Sequence, residues 1–316
     1  MAAHLHNLGE FTLTSAWLTI GAYDGVHRGH QEIIRPMVAE AHRFGAPAVV
    51  ITFHPHPAVV LRDRPADFYL TLPEERAKCL FELGVDVVIT QAFDLEFANT
   101  SARDYVVQLH DRLGLSQLWA GPDFALGRAR QGTLPVLKEL GQEFGFEVRV
   151  VPQLEIDGQR ISSSLIRQHL GRGEVSLASQ LLGRPYQLGG EVVKGDQRGR
   201  TIGIPTANLA LPPGKLLPAA GVYACRAWIG VPGAGRSWAA AINIGVRPTF
   251  DGQGPHPHVE AHLLDYDGDL YGQVLWLDMI DRLRGEQRFP GIEALVTQIR
   301  HDIAQTRQIL SRNSVK

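Results

Sequence analysis

The sequence predicts an α/β domain built on a doubly wound parallel sheet, followed by a small antiparallel barrel. Three observations point there. The first half of the chain alternates strand-like and helix-like segments. Its strand-like segments, such as 48–53 (AVVITF) and 85–90 (VDVVIT), are continuous Val/Ile runs, the pattern of strands covered on both faces. The rhythm changes near LGRP (182–185), and short β-rich runs separated by Gly and Pro follow. The boundary is placed there, giving domains 1–184 and 185–316.

Taken in order, 17–20 (WLTI) reads as a strand. Residues 31–44 read as a helix, because Ile33, Ile34, Met37, Val38 and Ala41 share one face. Pro36 removes one backbone bond from that helix and is expected to kink it. Then come strand 48–53, helix 73–83, strand 85–90, helix 101–113, strand 117–120, helix 134–144 and strand 146–151. The second half shows β-rich runs at 189–193, 221–229, 239–244, 259–265 and 274–280. Residues 292–310 close the chain with a helical apolar stripe from Ile292 to Leu310.

The 316 residues are 44% apolar and 20% charged, enough for two cores. A net charge of −2 gives no electrostatic case for nucleic acid or a membrane surface. No apolar stretch approaches ~18 residues, so none reads as a membrane span. MAAHLHNLGEF lacks the basic-then-apolar pattern of a signal peptide. The only cysteines, Cys79 and Cys225, exclude a disulfide framework and a Cys-rich zinc site; the expected setting is a reducing cytoplasm.

The stretch GAYDGVHRGH (21–30) falls between the first strand and the first helix. Glycines there let backbone approach a ligand, and the helix N-terminus after Gly29 offers unpaired N–H groups to an anion. His27 and His30 could then donate to phosphate oxygens. Two histidines three apart also suit a metal pair or solvated loop residues. Zinc wants three or four ligands, and only His54 and His56 could be recruited. The D-G-x-H-x-G-H pattern favours phosphate.

ISSSLIRQHL (161–170) reads as a serine-capped helix start. Its Arg167 is either exposed or a clamp on the far phosphates of a nucleotide. The loop GGEVVKGDQRGR (189–200) holds Lys194, Gly195, Arg198 and Arg200, and is either a solvated hairpin or a phosphate wrap. In IGIPTANL, Thr206 and Asn208 share one face if extended. They could ligate a hard cation or make a structural turn.

Together these residues carry a resemblance. HRGH (27–30) with ISSS…Arg167 is similar to the paired HxGH and ISSTxxR motifs of the nucleotidyltransferase superfamily. G-x-x-D-G-V-H-x-G-H, T-F-x-P-H-P (52–57) and D-F-x-x-G (123–127) resemble the adenylyltransferase half of the bacterial bifunctional riboflavin kinase/FMN adenylyltransferase family. G-R-x-x-G-x-P-T-A-N, INIGVRPTF (242–250) and VEAHLLDYDGDLYG (259–272) resemble its kinase half. The implied architecture is a doubly wound nucleotidyltransferase domain plus a six-stranded antiparallel Greek-key barrel with a terminal helix.

The resemblance implies a bifunctional enzyme that makes FMN from riboflavin and ATP, then FAD from FMN and ATP. It implies His27 and His30 on the transferring phosphates, with Gly21, Asp24, Gly29, Ser162, Ser163, Ser164 and Arg167 around ATP. Thr52, His56 and Asp123 would line the flavin. In the kinase half it implies Gly195 and Arg200 on phosphate, Thr206 and Asn208 on Mg2+ and ATP, and Glu260 as base. Glu286 is a rival base, and Arg247 a secondary phosphate contact. Riboflavin, FMN and ATP are the implied small-molecule partners, with no nucleic acid and no membrane; the resemblance says nothing of partner proteins. Ala22-Tyr23, Ser164 and Thr133 depart from the family's usual Asn-Phe, Thr and Asp. Two other readings stand beside it: a kinase with an impaired first domain, and a flavin-binding regulator without turnover.

Overall fold

The computed structural model describes residues 2–62, 64, 67–156, 158–195, 199, 203–247 and 256–313, without the side chains of 246, 247, 256, 257 and 313. Contacts divide the chain into two compact units, Met1–Ser163 and Ser164–Lys316.

The first unit is built on a six-stranded sheet in the order β1-β4-β3-β2-β5-β8, every pairing parallel. Its strands are β1 (Ala3–Leu5), β2 (Ala16–Ile20), β3 (Ala48–His54), β4 (Val87–Ala92), β5 (Leu115–Ala120) and β8 (Glu147–Val150). The helices between them are α1 (Arg28–Arg43), α2 (Pro57–Arg62), α3 (Pro73–Phe81), α4 (Leu95–Ala98), α5 (Ala102–Leu113) and α6 (Leu134–Phe144). Two short ribbons, β6 (Ala125–Leu126) with β7 (Gly132–Thr133) and β9 (Glu155–Ile156) with β10 (Gln159–Arg160), decorate it.

Alternate residues of the central strands feed two cores. Leu18, Val49 and Ile51 pack with Val106 and Leu109 of α5 and Leu137 of α6. Trp17, Ala48 and Val50 pack with Ile34 and Met37 of α1 and Leu80 of α3 on the other face. From β2 the chain winds one way through β3 and β4. It then returns to β5 on β2's other side, so the switch of direction lies between β2 and β5.

The helix after β2 starts three residues before the expected Gln31, because His27 itself caps it with its imidazole. The helix runs unbroken through Pro36, which removes only one rung of its ladder. β1 and α2 were not legible: both are too short to show a period.

The second unit begins with α7 (Ser163–Gly171, which crosses from the first unit) and α8 (Val175–Leu182), then closes a six-stranded antiparallel barrel. The strands are β11 (Tyr186–Val193), β12 (Ala207–Ala210), β13 (Gly221–Ile229), β14 (Ser237–Arg247), β15 (His256–Leu263) and β16 (Val274–Arg284), in the order β11-β12-β15-β14-β13-β16. Closure removes the sheet edges that an open antiparallel sheet would expose. β12 is the strand that a reading of 206–208 as a turn would miss.

The terminal helix α9 (Ile292–Asn313) is latched to the barrel. The Arg284 guanidinium donates to both carboxylate oxygens of Asp302 at 2.9–3.2 Å, and the Asp302 side chain is 3% exposed. Removing that carboxylate strands a mostly buried cation. Asp302→Ala should cost roughly 3 kcal/mol of stability, read as a lower urea midpoint for the barrel; an unchanged midpoint would contradict the latch.

Candidate active sites

The first site is the turn at the carboxyl end of β2, beside the switch point. The backbone of 21–27 is held from every side. Gly21 donates its N–H to Ile51 O at 3.0 Å, and the Thr52 hydroxyl donates to Ala22 O at 2.9 Å. The Asp24 carboxylate accepts from the N–H groups of Leu70 (3.1 Å) and Thr71 (2.9 Å), and the Ser163 hydroxyl donates to Asp24 O at 2.9 Å. Gln31 Nε2 donates to Val26 O at 2.9 Å. These ties hold Tyr23 (φ 45°) and the β-branched Val26 (φ 41°) in the left-handed region, a strain that only a well-determined site sustains.

The result is a fixed pair of imidazoles at the start of α1. The His27 and His30 rings stack with centroids 3.5 Å apart. The His30 backbone N–H donates to His27 Nδ1 at 3.3 Å, which leaves the proton of a neutral His27 on Nε2. A Cβ at Gly29 would stand 3.3 Å from the His27 ring, so glycine leaves that ring its place. Nδ1 of His30 is buried with no hydrogen-bond partner among the described residues. Burial first, then His27 and Arg76, push His30 well below the usual histidine pKa and keep it neutral.

The departure at Tyr23 is accommodated. Its ring is buried and meets His30 edge-on at 5.0 Å, and its hydroxyl bonds to Thr19 Oγ1. Thr133 occupies the exposed N-cap of α6 without a side-chain cap bond.

Other expected residues take different places. Asp24 and Thr52 have no exposed surface, and their side chains bond to the backbone of the loop and its neighbours. His56 is half-buried, accepts from Ala58 N–H at 2.9 Å and meets Phe68 edge-on. Asp123 is exposed; Gln153 and Arg160 bond to its carboxylate and hold its pKa below the ordinary aspartate value. Ser162 and Ser163 are half-buried, Ser164 is exposed, and Arg167 lies half-buried in α7.

The sequence reading missed Arg76. It is fully buried, donating to Thr52 Oγ1 (2.7 Å), Phe53 O (3.0 Å) and Thr71 O (3.1 Å), with Asp24 Oδ1 3.9 Å away. The available signal was its spacing, four residues before the buried Leu80 of α3.

The second site lies on the outer wall of the barrel. Asn208 pairs with Glu260, and Glu260 with Asn243, across β12, β15 and β14. Their neighbours Ala207, Leu209, Val259, Ala261, Ile242 and Ile244 are buried, so the three half-buried polar residues form a row on the opposite face. A Cβ at Gly195 would fall 2.3 Å from Asn208 Nδ2, so the loop after β11 lies directly on that amide. His262 Nδ1 is 2.7 Å from Pro205 O, which fixes the approach to Thr206. His258, another residue the sequence did not single out, has Nε2 3.8 Å from Glu260 Oε1. A Cβ at Gly245 would meet His258, Glu286 Oε1 and Asn243 together, so the rival carboxylate converges on the same patch. Arg198 and Arg200 lie outside the described residues, as does the Arg247 side chain.

The chain thus carries two candidate sites, a switch-point turn in the first unit and a polar row on the closed barrel of the second. Comparison with known proteins narrows this. The FAD synthetase family matches residues 11–165 and the riboflavin kinase family residues 182–310. The bifunctional riboflavin kinase/FMN adenylyltransferase of Pseudomonas fluorescens is 40% identical over 292 residues, covering 92% of each chain. That of Bacillus subtilis is 36% identical over 302 residues, covering 95% of this chain and 94% of its own. A crystal structure named as a macrolide-efflux protein from Streptococcus pneumoniae superposes with TM-score 0.87 at 32% identity, over 97% of this chain and 98% of that one. The chain belongs to the bifunctional riboflavin kinase/FMN adenylyltransferase family. Among the described residues, no helix is long and apolar enough to cross a membrane.

The state of His30 sets a pH dependence. Its folded pKa lies below its unfolded value near 6.5, so the unfolded chain binds the extra proton first. Its contribution to stability is present above about pH 6.5 and is lost as pH falls towards the folded pKa. His30→Gln should flatten this loss in urea unfolding of the first unit; an unaltered pH slope would count against it.

Proposed function

We propose that the switch-point site performs adenylyl transfer and the barrel wall performs phosphoryl transfer. Riboflavin and ATP give FMN; FMN and ATP give FAD and pyrophosphate. The observation that carries the reading is the stacked imidazole pair at the N-terminus of α1, beside the switch point.

In adenylyl transfer a phosphate oxygen of FMN bonds to the α-phosphorus of ATP, and the bond from that phosphorus to the α,β-bridging oxygen breaks, releasing pyrophosphate. The nucleophile is already an anion, so positioning and charge stabilisation suffice. His27 donates Nε2–H to oxygens gaining charge, and the α1 N–H groups add positive potential. Gly21 and Gly29 leave room for phosphate. Ser162, Ser163, Ser164 and Arg167 bind the far phosphates, and His56 and Asp123 face the flavin. Asp24, Thr52 and Arg76 are positioning residues.

In phosphoryl transfer the ribityl 5′-hydroxyl attacks the γ-phosphorus, and ADP leaves. Glu260 accepts the hydroxyl proton. The hydroxyl of Thr206 and the amide oxygen of Asn208 are hard oxygen donors of the kind Mg2+ takes. They would hold it with ATP, and when bound it neutralises phosphate charge. The unbridged Cys79 and Cys225 support a cytoplasmic setting. The charge balance supports small-molecule partners without nucleic acid.

Incubation with riboflavin, ATP and Mg2+, followed by product separation, tests the reading. The intact chain should form FMN and then FAD. His27→Ala with His30→Ala should lower FAD formation at least ~10²-fold and leave FMN formation intact. Asn208→Ala or Glu260→Ala should do the reverse when FMN is supplied. One variant abolishing both activities in a folded chain would sink the two-site assignment.

Arg76→Met should lower FAD formation by about 10²-fold through misplacement of the loop. Arg76→Lys should recover part of it, and FMN formation should report an intact second unit. Wild-type FAD formation by Arg76→Met would remove Arg76 from the machinery.

A further inference from the structure

A cluster of metal-ligating side chains, none of them a member of either candidate site, lies at the edge of the parallel sheet. His4 sits on the edge strand β1, and His6 follows two residues later. Glu74 stands in the first turn of α3. One ligand atom from each of the three lies within 4.8 Å of the others. His4 Nδ1 is 3.1 Å from Glu74 Oε2, and the two imidazole centroids are 4.8 Å apart.

The second nitrogen of His4 is also placed. Its Nε2 lies 2.8 Å from the hydroxyl of the buried Thr90 on β4. An outer hydrogen bond of this kind orients a ligating imidazole and presents its other nitrogen. The cluster borders an open depression also lined by Lys78 and Glu82, which leaves room for water ligands. The Lys78 ammonium opposes a cation there, and the Glu82 carboxylate favours one.

We propose that His4, His6 and Glu74 bind a late first-row divalent cation of the Zn2+ type, clasping β1 to α3. Two imidazoles and one carboxylate with an open position suit Zn2+; Mg2+ and Ca2+ prefer all-oxygen sites. The clasp has a structural use. β1 adds only three residues to the sheet, and the cross-link joins positions 70 apart in sequence, where a clip removes much chain entropy.

The test is calorimetric titration of the EDTA-stripped full chain with Zn2+, and with Mg2+ for comparison. Wild type should bind one more equivalent of Zn2+ than His4→Ala with His6→Ala. Glu74→Gln should weaken that step about tenfold. Zn2+ should raise the unfolding midpoint of wild type more than that of the double variant. The single variant His6→Ala guards against misfolding, since His6 is exposed and outside β1. FMN and FAD formation by the stripped variants should match wild type. Equal Zn2+ stoichiometry in wild type and double variant, or equal affinity for Mg2+, overturns the site.

Discussion

One buried charge pair underlies the first site. Asp24 and Arg76 lie 3.9 Å apart with no exposed surface. Burying two charges is costly, and the cost is met only when hydrogen bonds surround both. Here the carboxylate gathers the N–H groups of Leu70 and Thr71, while the guanidinium gathers Thr52, Phe53 and Thr71. Loop, strand and helix are thereby joined as one body. The strained backbone at Tyr23 and Val26, the cap at His27 and the ring stack above it all rest on that foundation.

The second site rests on register instead of charge. In the antiparallel barrel, Asn208, Glu260 and Asn243 are direct neighbours across three strands, while the residues beside each point into the core. The chemistry therefore stands on a packed wall without occupying its interior. Asp302 and Arg284 secure the terminal helix to β16 of the same barrel.

The fold was legible where periodicity was long. Continuous Val/Ile runs gave the parallel strands, and the apolar stripe of α9 gave its helix. Segments of three to six residues, β1 and α2, carry no period, and β12 showed only the Thr206/Asn208 alternation. The start of α1 was displaced because a histidine cap lies outside the usual Ser/Thr/Asp/Asn signal. At the sites, residue type was more legible than direction. Asp24 and Thr52 belong to the site's motifs but face inward. Arg76 stands among charged residues in LPEERAKCL, where its residue type does not mark it as buried. His258 reached the polar row through the pairing of β15 with β14, and Glu286 from beyond the end of β16, neither of which spacing alone displays.

The outer polar row has a consequence for assembly of the barrel. Side chains alternate along a strand, so a one-residue slip of β12 would turn Asn208 inward and expose Ala207 and Leu209. A barrel closed in that register would be compact yet lack Asn208 beside Glu260. The pairing of Asn208 with Glu260 is therefore a mark of the barrel's own assembly: only the correctly zipped strands bring the two side chains to one face.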